Sequence, residues 1–132
     1  MPMHYLHATD LLIIHEALIE QFGGMPGITE AGFARLQAAV ATPQQSMFGV
    51  DLYPDLASKI GALAYALIRG HPFSDGNKRV AVVALDLMAT LNGASLTASN
   101  DEIYALALAA AEHHARAEVI AWVREHLMVT NA

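Results

Sequence analysis

Residues Val80 to Leu91 are apolar on almost every side when wound into a helix, and only Asp86 puts a charge among them. A helix without a polar face has to be enclosed by other elements. Twelve residues span about 18 Å at 1.5 Å per residue, whereas crossing a bilayer takes about 20 apolar residues. The stretch therefore predicts a helix through the centre of a helical bundle, not a membrane span. Directly before it stands the run His71-Pro72-Phe73-Ser74-Asp75-Gly76-Asn77-Lys78-Arg79.

Other segments supply the enclosing helices. Leu11, Leu12, Ile14, His15, Leu18, Ile19 and Phe22 recur near helical spacing, so a first helix is expected from a cap at Thr9 to about Phe22. Gly23-Gly24-Met25-Pro26-Gly27 stops it. A second is expected from about Thr29 to Ala41, and a third from near Pro54 to about Arg69. The fourth, from near Asp75, ends at Asn92-Gly93. Ser99 with Glu102 makes a capping-box pattern for a fifth, to about His113. Residues 117 to 128 give a sixth, with Val119, Ile120, Val123 and Leu127 on one face. Residues 43 to 52 read as irregular or briefly extended. No repeat or linker divides the chain, so one all-α domain of about six helices over residues 1–132 is expected.

The chain carries seven Lys and Arg against thirteen Asp and Glu, a net charge of −6. That balance argues against nucleic-acid binding by this chain alone, which calls for a basic face. The absence of cysteine removes disulfides and thiolate metal sites and fits a reducing cytosol. Nothing at the N-terminus reads as a signal peptide. Yet Arg69, Lys78 and Arg79 fall within eleven positions of this acidic chain. Cations in the first turn of a helix oppose its dipole, so a bound anion is the better explanation for Lys78 and Arg79.

The parts of the motif suit phosphoryl or nucleotidyl transfer. An imidazole at His71 can take a proton from an attacking hydroxyl. Asp75 can cap the helix, hold Mg2+ between polyphosphate oxygens, or both. Gly76 allows close backbone approach, and the N–H groups of residues 76 to 79 can form an anion nest. Lys78 and Arg79 add full charge, and Asn77 can bond a phosphate oxygen or lock the loop.

The run resembles the signature of the Fic/Doc family in its Doc, or death-on-curing, form: His-x-Phe-x-Asp-x-Asn-Lys-Arg. Phe22 to Gly27, Phe48 to Pro54, Ala64 to Arg69 and Leu91 to Gly93 are also similar to Doc proteins, so the resemblance covers about residues 5 to 127. It implies a compact helical fold and a cytoplasmic toxin of a toxin–antitoxin pair. It also implies His71 as base, Asp75 as Mg2+ ligand, and Gly76, Asn77, Lys78 and Arg79 as the phosphate cradle, with Arg69 in support. Phe73 would plug the loop into the core, and residues 44 to 52 would form a flap for the target segment.

Departures from the broader family pattern bear on the chemistry. Fic enzymes that transfer AMP carry a glycine where Lys78 stands and a second arginine where Val82 stands. The lysine accompanies a reversed nucleotide in Doc-like members. The resemblance thus implies an ATP-dependent Ser/Thr kinase acting on a translation factor, elongation factor Tu by analogy. The alternatives are AMP transfer and a catalytically silent module that binds or regulates a partner. The self-inhibitory string Ser/Thr-x-x-x-Glu-Gly/Asn is absent, which implies restraint by a separate, Phd-like antitoxin whose segment folds into a groove. Thr29-Glu30 replaces an Arg-Asp pair common in the Doc branch.

Other polar residues carry less. His113 and His114 point about 100° apart on a helix and so do not share an ion readily. His4 and His7 have no evident partners. Asp86 is expected to pair with a cation or to face a polar groove.

Overall fold

The computed structural model describes residues 2–130. Six α-helices occur among them: α1 (Ala8–Phe22), α2 (Glu30–Ala41), α3 (Leu56–Gly70), α4 (Asn77–Leu91), α5 (Asn100–Glu112) and α6 (Arg116–His126). A 3-10 turn, Thr42–Gln44, follows α2. Two short antiparallel pairs complete the fold: β1 (Ser46–Met47) with β2 (Val50–Asp51), and β3 (Ala94–Leu96) with β4 (Leu127–Val129). This is the all-α architecture the sequence predicts.

Short polar side chains start several helices by accepting the otherwise unpaired first-turn N–H groups. Thr29 Oγ1 accepts from Gly32 N at 2.9 Å, Asp55 from Ser58 N at 2.9 Å, and Ser99 Oγ from Glu102 N at 3.1 Å. The first helix begins two residues earlier than expected. His7, not Thr9, is its N-cap, because the Asp10 carboxylate reaches back to the His7 N–H at 2.8 Å. The α4 helix has no side-chain cap, and its N-cap is Gly76 rather than Asp75.

One side of α4 is buried through Val80, Ala81, Ala84, Leu85, Met88 and Ala89. Its other side borders a groove, and there Asp86 is exposed. The most completely enclosed helix is α3, which packs on α4 and α6. Gly61 permits this: a Cβ at that position would lie 2.8 Å from Ile120 Cα in α6. Leu127 and Met128, expected as the end of α6, instead belong with Val129 to β4, which pairs with β3 in the register Ala94↔Val129, Ser95↔Met128 and Leu96↔Leu127. Asn92 fastens the N-terminal segment to the same end of α4, with Oδ1 accepting from His4 N and Nδ2 donating to the carbonyls of His4 and Met88.

Phe48 and Gly49 join β1 to β2 at φ 52° and 77°, the positive pair of a tight hairpin turn. Phe48 is 97% exposed at its tip. No helix of the described residues is long and apolar enough to cross a membrane.

Candidate active site

The site is built where α3 ends and α4 begins. His71 is the C-cap of α3 at φ 49°, ψ 58°, a left-handed conformation that strains any side-chain-bearing residue by roughly 1–3 kcal/mol. Arg35 of α2 supports it. Its Nε donates to the Gly70 carbonyl at 2.8 Å and its Nη2 to the His71 carbonyl at 3.3 Å. These bonds satisfy acceptors that the end of α3 leaves open. Gly32 lets α2 approach the Pro72 carbonyl, where a Cβ would collide.

After Pro72 the chain dives inward. Phe73 is 2% exposed and plugs the loop into the core, as the resemblance implies. Asn77 clamps it: its Oδ1 accepts from Phe73 N and its Nδ2 donates to Phe73 O, both at 2.9 Å. The Asn77 side chain therefore locks the loop, and what it offers outward is its backbone N–H. Beneath the loop the His15 ring stacks on Phe73, and its Nε2 lies 2.8 Å from the Asp75 carbonyl oxygen.

Asp75 turns outward. Its Oδ2 accepts from Met25 N at 3.1 Å and its Oδ1 from Gly76 N at 2.9 Å. Those two amides, with smaller contributions from Arg79 and His15, hold its carboxyl below the usual carboxylate range. Gly24 lies against it, and a Cβ there would stand 2.7 Å from Oδ2. Gly76 reverses the chain at φ 79°, and α4 starts. With no capping side chain, the first-turn amides of α4 remain available as donors at its positive end.

A cleft of about 150 Å3 is lined by His71, Asp75, Gly76, Asn77, Lys78, Arg79 and Tyr104. Six of the seven sequence-predicted residues thus meet at one place. Arg69 stands apart, with Nη1 on the Ala111 carbonyl at 3.3 Å. Lys78 and Arg79 make no ion pair among the described residues. The Arg79 guanidinium lies over the Phe22 ring, 4.6 Å from its centroid, in a cation–π contact.

Arg79 and Tyr104 also line a larger neighbouring groove of about 500 Å3 with Leu18, Phe22, Val82 and Val83. Asp86 and Asp101 edge it, unpaired among the described residues.

These residues fit a Mg2+–polyphosphate. A carboxylate oxygen that accepts one N–H keeps a lone pair for a cation, and Asp75 is exposed. Magnesium commonly takes one or two protein carboxylates and completes its shell with phosphate and water. Uncapped amides beside a lysine and an arginine suit the phosphates themselves. Among the described residues no three His, Asp or Glu side chains group as an all-protein metal site.

Sequence reasoning missed Arg35, Gly24, Tyr104 and the role of His15. Only His15 left a signal, an imidazole within an otherwise apolar helix stripe.

The model of the Fic/DOC family matches residues 5–89. Toxin Doc of Mycolicibacterium smegmatis is 44% identical over 80 residues, which cover 61% of this chain and 60% of that protein. Protein kinase doc of Escherichia phage P1 is 34% identical over 96 residues, covering 69% of this chain and 70% of the phage protein. The match thus spans less than two thirds of the mycobacterial relative's length.

Proposed function

The chain belongs to the Fic/Doc family, and on that premise we propose that it is the toxin of a toxin–antitoxin pair, a cytoplasmic kinase that transfers the γ-phosphate of ATP to a serine or threonine hydroxyl. The observation that carries this reading is the cleft. It sets His71 and Asp75 beside an uncapped helix start bearing Lys78 and Arg79.

His71 takes the proton from the acceptor hydroxyl as that oxygen attacks the γ-phosphorus. A new O–P bond forms, the bond from the γ-phosphorus to the β–γ bridging oxygen breaks, and ADP leaves with the charge. The α4 amides, Lys78 and Arg79 face the phosphate oxygens on which charge builds. Fixed donors of this kind supply most of the rate in phosphoryl transfer. Asp75 would hold Mg2+, which when bound draws charge from the phosphates. Lys78 and Val82, standing where AMP-transferring members carry a glycine and a second arginine, favour the γ-phosphate over AMP as the group moved. Elongation factor Tu is the target we assign by family analogy. Gly76 and the Asn77 amide complete the cradle, with Arg69 outside it.

An antitoxin supplies the restraint. The open groove beside the cleft suits an amphipathic helix from a Phd-like partner, with apolar side chains on Leu18, Phe22, Val82 and Val83 and basic ones toward Asp86 and Asp101.

Induced expression of the wild type in a bacterial host should arrest growth and translation. His71→Ala should not, and co-expression of the neighbouring gene's product should lift the arrest. Equal arrest by His71→Ala would remove the base from the account, and unimpaired growth with the wild type would remove the toxin.

A further inference from the structure

Two rings meet beneath the phosphate loop. His15 of α1 is 5% exposed, and its ring lies flat on that of Phe73, centroids 3.9 Å apart and planes 9° from parallel. Its Nε2 stands 2.8 Å from the Asp75 carbonyl oxygen. A carbonyl only accepts, so Nε2 carries the proton.

The carbonyl of Asp75 and the N–H of Gly76 belong to one peptide group. His15 holds the oxygen of that group. Its nitrogen donates to the Asp75 Oδ1 at 2.9 Å. The plane of this peptide therefore aims the carboxylate and sets the turn from which α4 starts. Gly76, at φ 79°, offers no local resistance to a flip, because glycine accepts either orientation. The restraint has to come from outside the loop, and His15 provides it. The same helix runs into Gly23-Gly24-Met25, whose Met25 amide holds the other carboxylate oxygen at 3.1 Å.

We infer that His15 is a positioning residue: its bond to Asp75 fixes the Asp75–Gly76 peptide, and through it the aim of the Asp75 carboxylate and of the first α4 amides. The consequence for nucleotide binding rests on the proposed function. The consequence for the loop does not.

Packing and positioning separate cleanly by substitution. His15→Phe keeps an aromatic ring against Phe73 and removes the donor. His15→Gln removes the ring and keeps an amide N–H near the place of Nε2. Three quantities are measured on the full chain: thermal midpoint, amide hydrogen exchange across residues 74–78, and calorimetric affinity for ATP with Mg2+ in the absence of any acceptor. A lost hydrogen bond of this kind corresponds to about tenfold. His15→Phe should stay folded, exchange about tenfold faster at Gly76, whose N–H donates to Asp75 Oδ1, and bind Mg2+–ATP about tenfold more weakly. His15→Gln should recover most of both losses. Wild-type exchange and affinity in His15→Phe, or a His15→Gln no better than His15→Phe, would overturn the inference. Should the wild type bind no nucleotide, the functional reading fails, while the exchange comparison still decides the role of His15.

Discussion

Asn77 and Phe73 hold each other twice across one turn, the Asn77 carboxamide accepting from the Phe73 N–H and donating to the Phe73 carbonyl, both at 2.9 Å. The pair is buried, so neither backbone group of Phe73 has water to fall back on. The side chain the motif places among phosphate ligands is the one that shapes the loop. Asn77→Ala should lower stability by about 2–4 kcal/mol, since each abandoned buried group costs about 1–3 kcal/mol. Urea unfolding measures it. A loss under about 1 kcal/mol would mean that the loop keeps its shape without the clamp.

Gly23 and Gly24 make a matched pair. Both have positive φ, 82° and 116°. A Cβ at Gly23 meets nothing within 4 Å, whereas one at Gly24 comes 2.7 Å from Asp75 Oδ2. Either alanine carries backbone strain of roughly 1–2 kcal/mol. Only Gly24→Ala should also weaken Mg2+–ATP binding, by about tenfold, because it displaces the carboxylate proposed to hold the metal. Calorimetry on both variants tests this, and equal affinities would detach Asp75 from the metal.

Asp55 gives a pH dependence of known sign. Partial burial pushes its carboxyl up, but the Ser58 hydroxyl and amide and the Arg124 guanidinium outweigh that and lower it from 3.8 to about 2. A depressed carboxylate contributes stability above its unfolded value, and the contribution is lost as pH falls from about 3.8 through about 2. The ion pair, 2.9 Å long, is half-exposed, so solvent screening leaves on the order of 1 kcal/mol. Asp55→Asn keeps a good N-cap and removes the charge. Its melting point should lie below the wild type at pH 7 and converge with it near pH 2.

Gly61 is where α3 meets α6 without a side chain between them. Gly61→Ala would put a methyl 2.8 Å from Ile120 Cα. Overpacking against backbone typically costs 1–3 kcal/mol, and here it should exceed the roughly 1 kcal/mol that alanine gains over glycine in a helix. Thermal unfolding checks the sign; a stabilised variant would show that the two helices are free to part.

What was legible in the sequence was local. Ser99 read as a cap because a cap acts within three residues, and it accepts the expected bond from Glu102 N. The motif read as a site because six of its residues lie together in the chain as well as in space. The misses came from contacts across the chain. Asp75 looked like the cap of α4, yet its Oδ2 is held by Met25, fifty residues away. Leu127 and Met128 continued a helical pattern, and pairing with β3 overrode it. Arg69 sits on the sequence edge of the motif, but its place on the α3 surface turns it toward Ala111. His15 hid as one position in an apolar stripe, because only the fold reveals that the stripe lies under the motif loop.

The most direct test of the central claim is label transfer into cell-lysate proteins, comparing ATP labelled at the γ-phosphate with ATP labelled at the α-phosphate, and with His71→Ala alongside. The account predicts label from the γ-position alone, on one dominant band, abolished by His71→Ala. Label from the α-position would contradict it and make the enzyme an AMP transferase.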